Sequence, residues 1–141
     1  MKIKKNKLEI YAEYINIYIY LIKVFNLSSL SKLTYTAVFL NYCKTINCTT
    51  KKRFDVISFY FEQIKMSNVL TYDNVFNAIE SMKILIENKV FLIEGGKVKI
   101  VDSNIEHIKD STLEGNSIKL FIEEIKKLSD KSFIREVVSC V

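Results

Sequence analysis

The sequence predicts a mainly α-helical domain with one small β-hairpin. Three observations support this fold class. Apolar residues recur at three- and four-residue spacing along most of the 141-residue chain, which is typical of amphipathic helices. Proline is absent, so Ser, Thr, Asn and Asp clusters must separate the helices. Two short β-type runs flank Gly95-Gly96, and a glycine pair is a signal for a tight two-residue hairpin turn.

The apolar spacing predicts six helices along the chain. They span residues 8–26, 31–46, 53–66, 72–88, 117–128 and 131–140. Part of the first, residues 15–22, alternates in a way that also fits a strand, but the length of the whole segment favours a helix. Thr71 or Asp73 is expected to cap the fourth helix, and Asp130 the last. The hairpin is predicted at residues 90–101, and the polar, acidic residues 102–116 are predicted to form a loop or a frayed turn.

The first helix carries two apolar stripes. The stripe expected to face the core includes Leu8, Ile15 and Ile22. The second stripe, at 4-3-4 spacing, consists of Tyr14, Tyr18, Leu21 and Phe25. A helix that is apolar on most faces is either central in the fold or part of an interface, and Tyr is favoured at protein contacts. The second stripe therefore either binds a partner or a second copy of the chain, or is buried in the centre of the domain.

The fourth helix has a stripe expected to be buried, made of Val75, Phe76, Ile79, Met82 and Ile86. At the end of the chain, the last helix carries Phe133, Ile134, Val137 and Val138. Chain ends are often poorly ordered unless something ties them down. This apolar end is thus expected either to pack back onto the domain or to bind a partner.

The net charge of +5 comes mostly from the first seven residues. Removing their four lysines from the 21 basic residues leaves 17, against 16 acidic residues, so residues 8–141 form a nearly neutral single domain behind a basic tail at residues 1–7. Unspecific contact with nucleic-acid phosphates is the function considered for the lysine-rich sites. These sites are Lys2, Lys4, Lys5, Lys7, Lys51, Lys52, Arg53, Lys97 and Lys99.

The predicted order, in which several helices are followed directly by a hairpin, is that of a winged helix. In that reading, residues 72–88 are the recognition helix, residues 90–101 are the wing, and two helices extend the C-terminus. A DNA-reading helix presents Arg, Lys, Asn or Gln to the bases, whereas this segment has three acids and two lysines. Arg53 and Arg135 are the only arginines in the chain. The sequence therefore does not predict a typical operator-reading protein.

Residue types that carry chemistry are scarce. The chain has three cysteines and a single histidine, His107, and it lacks a glycine-rich phosphate loop. We therefore expect no enzymatic activity, no metal and no cofactor. The odd cysteine count fits the cytoplasm. The mostly apolar run Tyr14–Ile22 is far shorter than the ~20 residues that a membrane helix needs, so no membrane insertion is expected.

Three stretches carry a resemblance to a known family. They are the Tyr/Phe-rich first helix, the segment Val75–Leu92 and the segment Ser132–Val138. With the length of the chain, they resemble the middle component of bacterial ABC-type three-component anti-phage and anti-plasmid systems of the Lamassu kind. They are also similar to winged-helix accessory subunits of SMC-like ATPases.

The resemblance implies a non-enzymatic adaptor that bridges an SMC- or ABC-type ATPase and an effector such as a nuclease. DNA would then be touched only unspecifically or through the complex. The alternative is a small winged-helix transcription regulator that binds DNA as a dimer.

Overall fold

A computed structural model describes residues 6–43, 53–102, 105 and 116–141. These residues form six α-helices and one two-stranded antiparallel hairpin, so the predicted mainly α fold with a small hairpin is confirmed. In chain order the elements are α1 (Lys7–Phe25), α2 (Leu30–Cys43), α3 (Arg53–Met66), α4 (Tyr72–Glu87), β1 (Phe91–Glu94), β2 (Lys97–Ile100), α5 (Asn116–Lys127) and α6 (Asp130–Ser139).

Local side-chain chemistry sets both ends of α1. The Asn6 side chain accepts a hydrogen bond from the Glu9 backbone N–H at 2.9 Å, which satisfies one of the unpaired donors at the helix start. The helix therefore begins at Lys7, the last residue of the predicted basic tail. At the other end Asn26 is left-handed, with φ of 54°, and its N–H bonds back to the carbonyl of Ile22. Asn tolerates this conformation better than most residues, so the helix ends there.

The caps of α4 and α6 are also visible. Thr71 accepts a hydrogen bond from the Asn74 N–H at 3.2 Å, so Thr71 rather than Asp73 caps α4. For α6 the predicted cap, Asp130, is wrong, since Ser129 takes this role by accepting from the Ser132 N–H at 3.1 Å. Asp130 is instead the first helical residue, where its negative charge suits the helix dipole.

Helices α1, α2 and α4 each pack against the other two. The Tyr18 hydroxyl of α1 donates a buried hydrogen bond of 2.7 Å to the Ala78 carbonyl of α4. Ala78 and Ser81 are fully buried, so α4 turns a side with small residues inward. Small side chains allow helix axes to approach closely, and this contact fixes which side of α4 is buried.

Helices α3, α5 and α6 all contact α2, and α3 also packs on α5. Aromatic rings fill the space between them. Phe39 of α2 lies 6.1 Å from Phe61 and 6.4 Å from Phe133, measured between ring centroids. Tyr60 stacks on Phe121 at 4.8 Å. Because Phe39 is shared by both contacts, α2 connects this group of helices to the α1–α2–α4 group.

A buried lysine ties α2 to the end of α5. The Lys32 ammonium donates to the backbone carbonyls of Lys126, at 3.2 Å, and Leu128, and lies 3.9 Å from an Asp130 oxygen. A cation at a helix C-terminus satisfies carbonyls that have no partner within the helix. This is why a lysine side chain can be buried here.

The hairpin has the tight turn that the glycine pair predicts. Gly95 and Gly96 have φ angles of 58° and 76°, which two-residue hairpin turns of this kind require and which side chains disfavour. The register places Phe91 opposite Ile100. Phe91 is buried, so the hairpin covers part of the helical core.

The segment between α1 and α2 extends this small sheet. The Leu30 N–H donates to the Gly96 carbonyl at 3.0 Å, and the Val98 N–H donates to the Ser28 carbonyl at 2.7 Å. Strand β2 is thus paired on both sides, by β1 and by this linker.

The predicted core stripes of α1 and α4 are partly wrong. In α1, Leu8 is 79% exposed and Ile15 and Ile22 are half-buried, while the second stripe is buried. In α4, Phe76 and Ile79 lie at the surface. Spacing along a helix shows that residues share a side, but neighbouring helices decide which side is covered.

Candidate protein-interaction surface

One side of α4 faces solvent and is mostly apolar. We call it the α4 outer face, and it consists of Tyr72, Phe76, Ile79, Lys83 and Ile86. The spacing of 4, 3, 4 and 3 residues puts all five on one side of the helix. Tyr72 is 79% exposed, Phe76 36% and Ile79 47%, whereas Ile86 is half-buried. Consecutive exposed apolar side chains on one helix face are typical of an interaction surface.

The beginning of this face is aromatic and lies beside the start of α1. The rings of Tyr72 and Phe76 stack with centroids 5.7 Å apart and an angle of 18° between their planes. The Lys7 ammonium sits 5.9 Å from the centre of the Phe76 ring, within cation–π range.

A groove borders the α4 outer face between α2, α4 and β1. Its volume is about 390 Å³. It is lined by Leu30, Ser31, Thr34, Tyr35, Ile79, Met82, Lys83, Ile86 and Ile93. We call it the α2–α4 groove. Lys83 is its only ionisable lining group apart from the Tyr35 phenol, so the groove suits apolar side chains.

The opposite border of the α4 outer face is acidic. Asp73, Glu80 and Glu87 are seven residues apart, so they lie on one side of α4, and we call them the acidic edge. Glu80 is 3.8 Å from the Lys83 ammonium. In the described part of the chain, Asp73 and Glu87 have no ion-pair partner. This border would repel a polyanion such as DNA.

Several polar side chains of this segment already have partners within the fold. The Asn74 amide donates to the Val69 carbonyl at 2.8 Å. The buried Ser81 hydroxyl donates to the carbonyl of Asn77, and the Asn88 amide to that of Ile84, each at 2.8 Å. One of the two N–H donors of the Asn74 amide is therefore already used within the fold.

The first-helix residues considered for partner binding are buried within the chain. Tyr18 and Leu21 have no exposed area, and Tyr14 and Phe25 keep only a few per cent. The interface alternative is therefore wrong for these four residues and central burial is right, because α2 and α4 cover this side of α1.

The four apolar residues of α6 that were considered for partner binding divide into two pairs. Phe133 and Val137 are buried against the rest of the domain, so they are not available to a partner and that part of the prediction is wrong. Ile134 is 37% exposed and Val138 65%, one helical turn apart on the outside of α6. A partner contact by these two stays a prediction.

The basic residues considered for nucleic-acid contact do not form one patch where the structure describes them. Lys7 begins α1 and lies on Phe76, whereas Lys97 pairs with Ser29, beyond the other end of α1. A 19-residue helix is about 28 Å long, so these lysines are far apart. Lys99 lies 3.3 Å from Glu94. Arg53 begins α3, and the remaining predicted sites, Lys2, Lys4, Lys5, Lys51 and Lys52, lie outside the described residues.

Burial makes the described thiols poor nucleophiles. Burial raises the pKa of Cys43 to about 12, and it also raises the pKa of Cys140. A thiol with such a pKa remains protonated at neutral pH, and the thiolate is the reactive form. His107 and Cys48 lie outside the described residues.

Comparison with protein-family models, with curated proteins and with solved structures found no match to this chain. Among the residues that the structure describes, no group of three or more His, Cys, Asp and Glu side chains could hold a metal ion. In the same residues, no helix combines the length and apolar character needed to cross a membrane.

Proposed function

We propose that this chain is a non-enzymatic adaptor subunit that binds a protein partner through the α4 outer face and the α2–α4 groove. The observation that carries the proposal is the exposure of Tyr72, Phe76 and Ile79 on the helix that precedes the hairpin. In a DNA-reading winged helix this side would need groups that bond to bases and phosphates. Apolar and aromatic side chains there suit a protein surface instead.

A winged-helix identity for the domain is part of the proposal. Its support is the mutual packing of α1, α2 and α4, with a hairpin that follows α4 directly and packs on both α4 and α1. The pairing of β2 with the α1–α2 linker supports it further. Helix α3 lies between α2 and α4 in the chain and packs on α5, so we treat it as an insertion.

The sequence resemblance suggests the partners. We propose a cytoplasmic bacterial anti-phage or anti-plasmid complex, in which the adaptor connects an SMC- or ABC-type ATPase to an effector. The gene next to this one is then expected to encode such an ATPase, with an effector gene beside it. An isolated gene would contradict this assignment.

Co-expression with the neighbouring ATPase tests the binding surface. Changing both Ile79→Asp and Ile86→Asp should abolish co-purification, because two charges would have to be desolvated in an apolar contact. The competing surface is tested with Val138→Asp, which places a charge on the exposed side of α6, where a partner contact also stays a prediction. If Val138→Asp abolishes binding and the α4 variant does not, the partner uses α6 and our assignment of the surface is wrong.

The alternative, a dimeric DNA-binding regulator, predicts different results. A regulator would bind its own upstream DNA with a sequence preference that survives moderate salt, and it would sediment as a dimer. The adaptor should bind naked DNA weakly, since the acidic edge faces the same side as a DNA-reading surface would. Tight, sequence-selective binding by the isolated chain would overturn the adaptor proposal.

A further inference from the structure

We propose that the partner segment held in the α2–α4 groove is an amphipathic α-helix with Lys or Arg along one flank. This inference rests on the proposed function, because it names the kind of partner for the same surface. Three points support it: the shape of the groove, the charge beside it, and the contacts between acids that a two-fold pair of α4 helices would create.

The shape of the groove suits a helix. Ile79 and Ile86 are seven residues apart on α4, so they are about 10 Å apart along its axis. An amphipathic helix presents apolar side chains at positions i, i+3 or i+4, and i+7, over the same length. An added strand would have only the four-residue β1 to pair with, which offers few backbone bonds.

The charge beside the groove selects a basic flank. A helix seated in the groove places one flank across the α4 outer face, toward the acidic edge. Lys83 lies within 3.8 Å of Glu80, which leaves Asp73 and Glu87 as the two acids of this edge without an ion pair in the described residues. Lysine or arginine side chains are long enough to reach such acids while their stems cover the apolar face.

A second copy of the chain fits this surface poorly. A two-fold contact between antiparallel α4 helices, centred near Glu80, would bring Asp73 of one copy opposite Glu87 of the other. Glu80 would then face Glu80. A symmetric interface repeats each contact, so every acid of the edge would meet another acid. Like charges placed against each other oppose association, which favours a different molecule as the occupant.

A displayed peptide library tests the inference. The library consists of 18-residue helices with a fixed Leu stripe and with flank positions randomised among Lys, Glu and Gln, and it is selected on the purified full chain. We expect at least a five-fold enrichment of Lys over Glu on one flank. The double variant Asp73→Asn with Glu87→Gln should lose this enrichment. The matched control, Glu62→Gln with Glu136→Gln on α3 and α6, should keep it.

A selected basic peptide then serves as the probe for affinity. By fluorescence anisotropy at low salt, Asp73→Asn with Glu87→Gln should weaken binding about five-fold, and the difference should shrink at high salt because screening weakens exposed charge pairs. Ile79→Asp should abolish binding. Ile79→Ser introduces no charge that could disturb α4, and it should still weaken binding.

The outcomes separate the two proposals. Enrichment of Glu, or no charge preference, would overturn the basic-flank inference while leaving the adaptor proposal to the co-expression test. A 20-base-pair DNA duplex that binds as tightly as the selected peptide would overturn the inference as well. Loss of ATPase co-purification from Ile79→Asp with Ile86→Asp, together with an acidic selected flank, would mean that the surface is right and the partner chemistry wrong.

Discussion

The aromatic side of α1 and the aromatic start of α4 look alike in the sequence and have opposite fates in the structure. Tyr14 and Tyr18 are buried between α1, α2 and α4, whereas Tyr72 and Phe76 stack on each other at the surface. The difference lies in what covers each helix. The buried Tyr18 hydroxyl donates a hydrogen bond to the Ala78 carbonyl, whereas the exposed Tyr72 hydroxyl can bond to water.

This contrast explains why an apolar side of α4 faces solvent. The inward side of α4 consists of Ala78, Ser81, Met82 and Leu85. On the other side, Tyr72, Phe76 and Ile79 have no neighbour within the described part of the chain that covers them fully. The exposed apolar side chains lie on the side of α4 that α1 and α2 leave exposed.

The largest effect should come from truncating the buried tyrosine. Tyr18→Ala is expected to lower the free energy of unfolding by about 3–5 kcal/mol, because a large buried side chain is lost and a cavity remains. Denaturant unfolding followed by circular dichroism measures it. A loss below about 1 kcal/mol would show that the α1 side is not the centre of the domain.

Alkaline pH should lower the free energy of unfolding through two buried groups, Cys43 of α2 and Tyr18 of α1. Burial raises the pKa of Cys43 from 9.0 to about 12 and also raises that of Tyr18. Above pH 9 the unfolded thiol loses its proton while the folded thiol keeps it, so stability is complete below pH 9 and is lost as pH rises toward 12.

Each such group contributes at most about 1.4 kcal/mol per pH unit to this loss. Unfolding measured from pH 8 to 11 tests the slope, and Cys43→Ala should flatten the part that begins at pH 9. An unchanged slope in this variant would mean that the thiol is not protected in the folded state.

A smaller effect separates the hydroxyl from the ring. Tyr18→Phe keeps the packing but removes the hydrogen bond to the Ala78 carbonyl, so we expect a loss of about 1 kcal/mol. The difference between Tyr18→Phe and Tyr18→Ala in the same unfolding assay gives the share that belongs to the ring. Equal losses for both variants would contradict a packing role for the ring.

The smallest effect on stability should come from the matching substitution on α4. Tyr72→Ala is expected to change the free energy of unfolding by about 0.5 kcal/mol or less, because the side chain is 79% exposed. The same variant should weaken binding to the partner in the co-expression assay. A stability loss as large as that of Tyr18→Ala would remove the distinction between the two regions.

Much of the fold could be predicted from local signals. The helix from residue 53 to residue 66 and the turn at Gly95-Gly96 agree with the structure, because spacing and glycine chemistry act within a few residues. The candidate surface was harder to predict, since Phe76 and Ile79 were expected in the core. One signal was present, because Lys83 shares their side of the helix and a lysine seldom belongs to a core.

The sequence by itself determined the helical class, the hairpin and the near-neutral charge of the domain, since these depend on composition and on short-range spacing. Only the tertiary structure decided which apolar stripe of each helix is buried. That choice depends on contacts between distant residues, such as Tyr18 with Ala78 and Lys32 with the end of α5. The same contacts leave Tyr72, Phe76 and Ile79 of α4 facing solvent, on the surface where we propose that a partner binds.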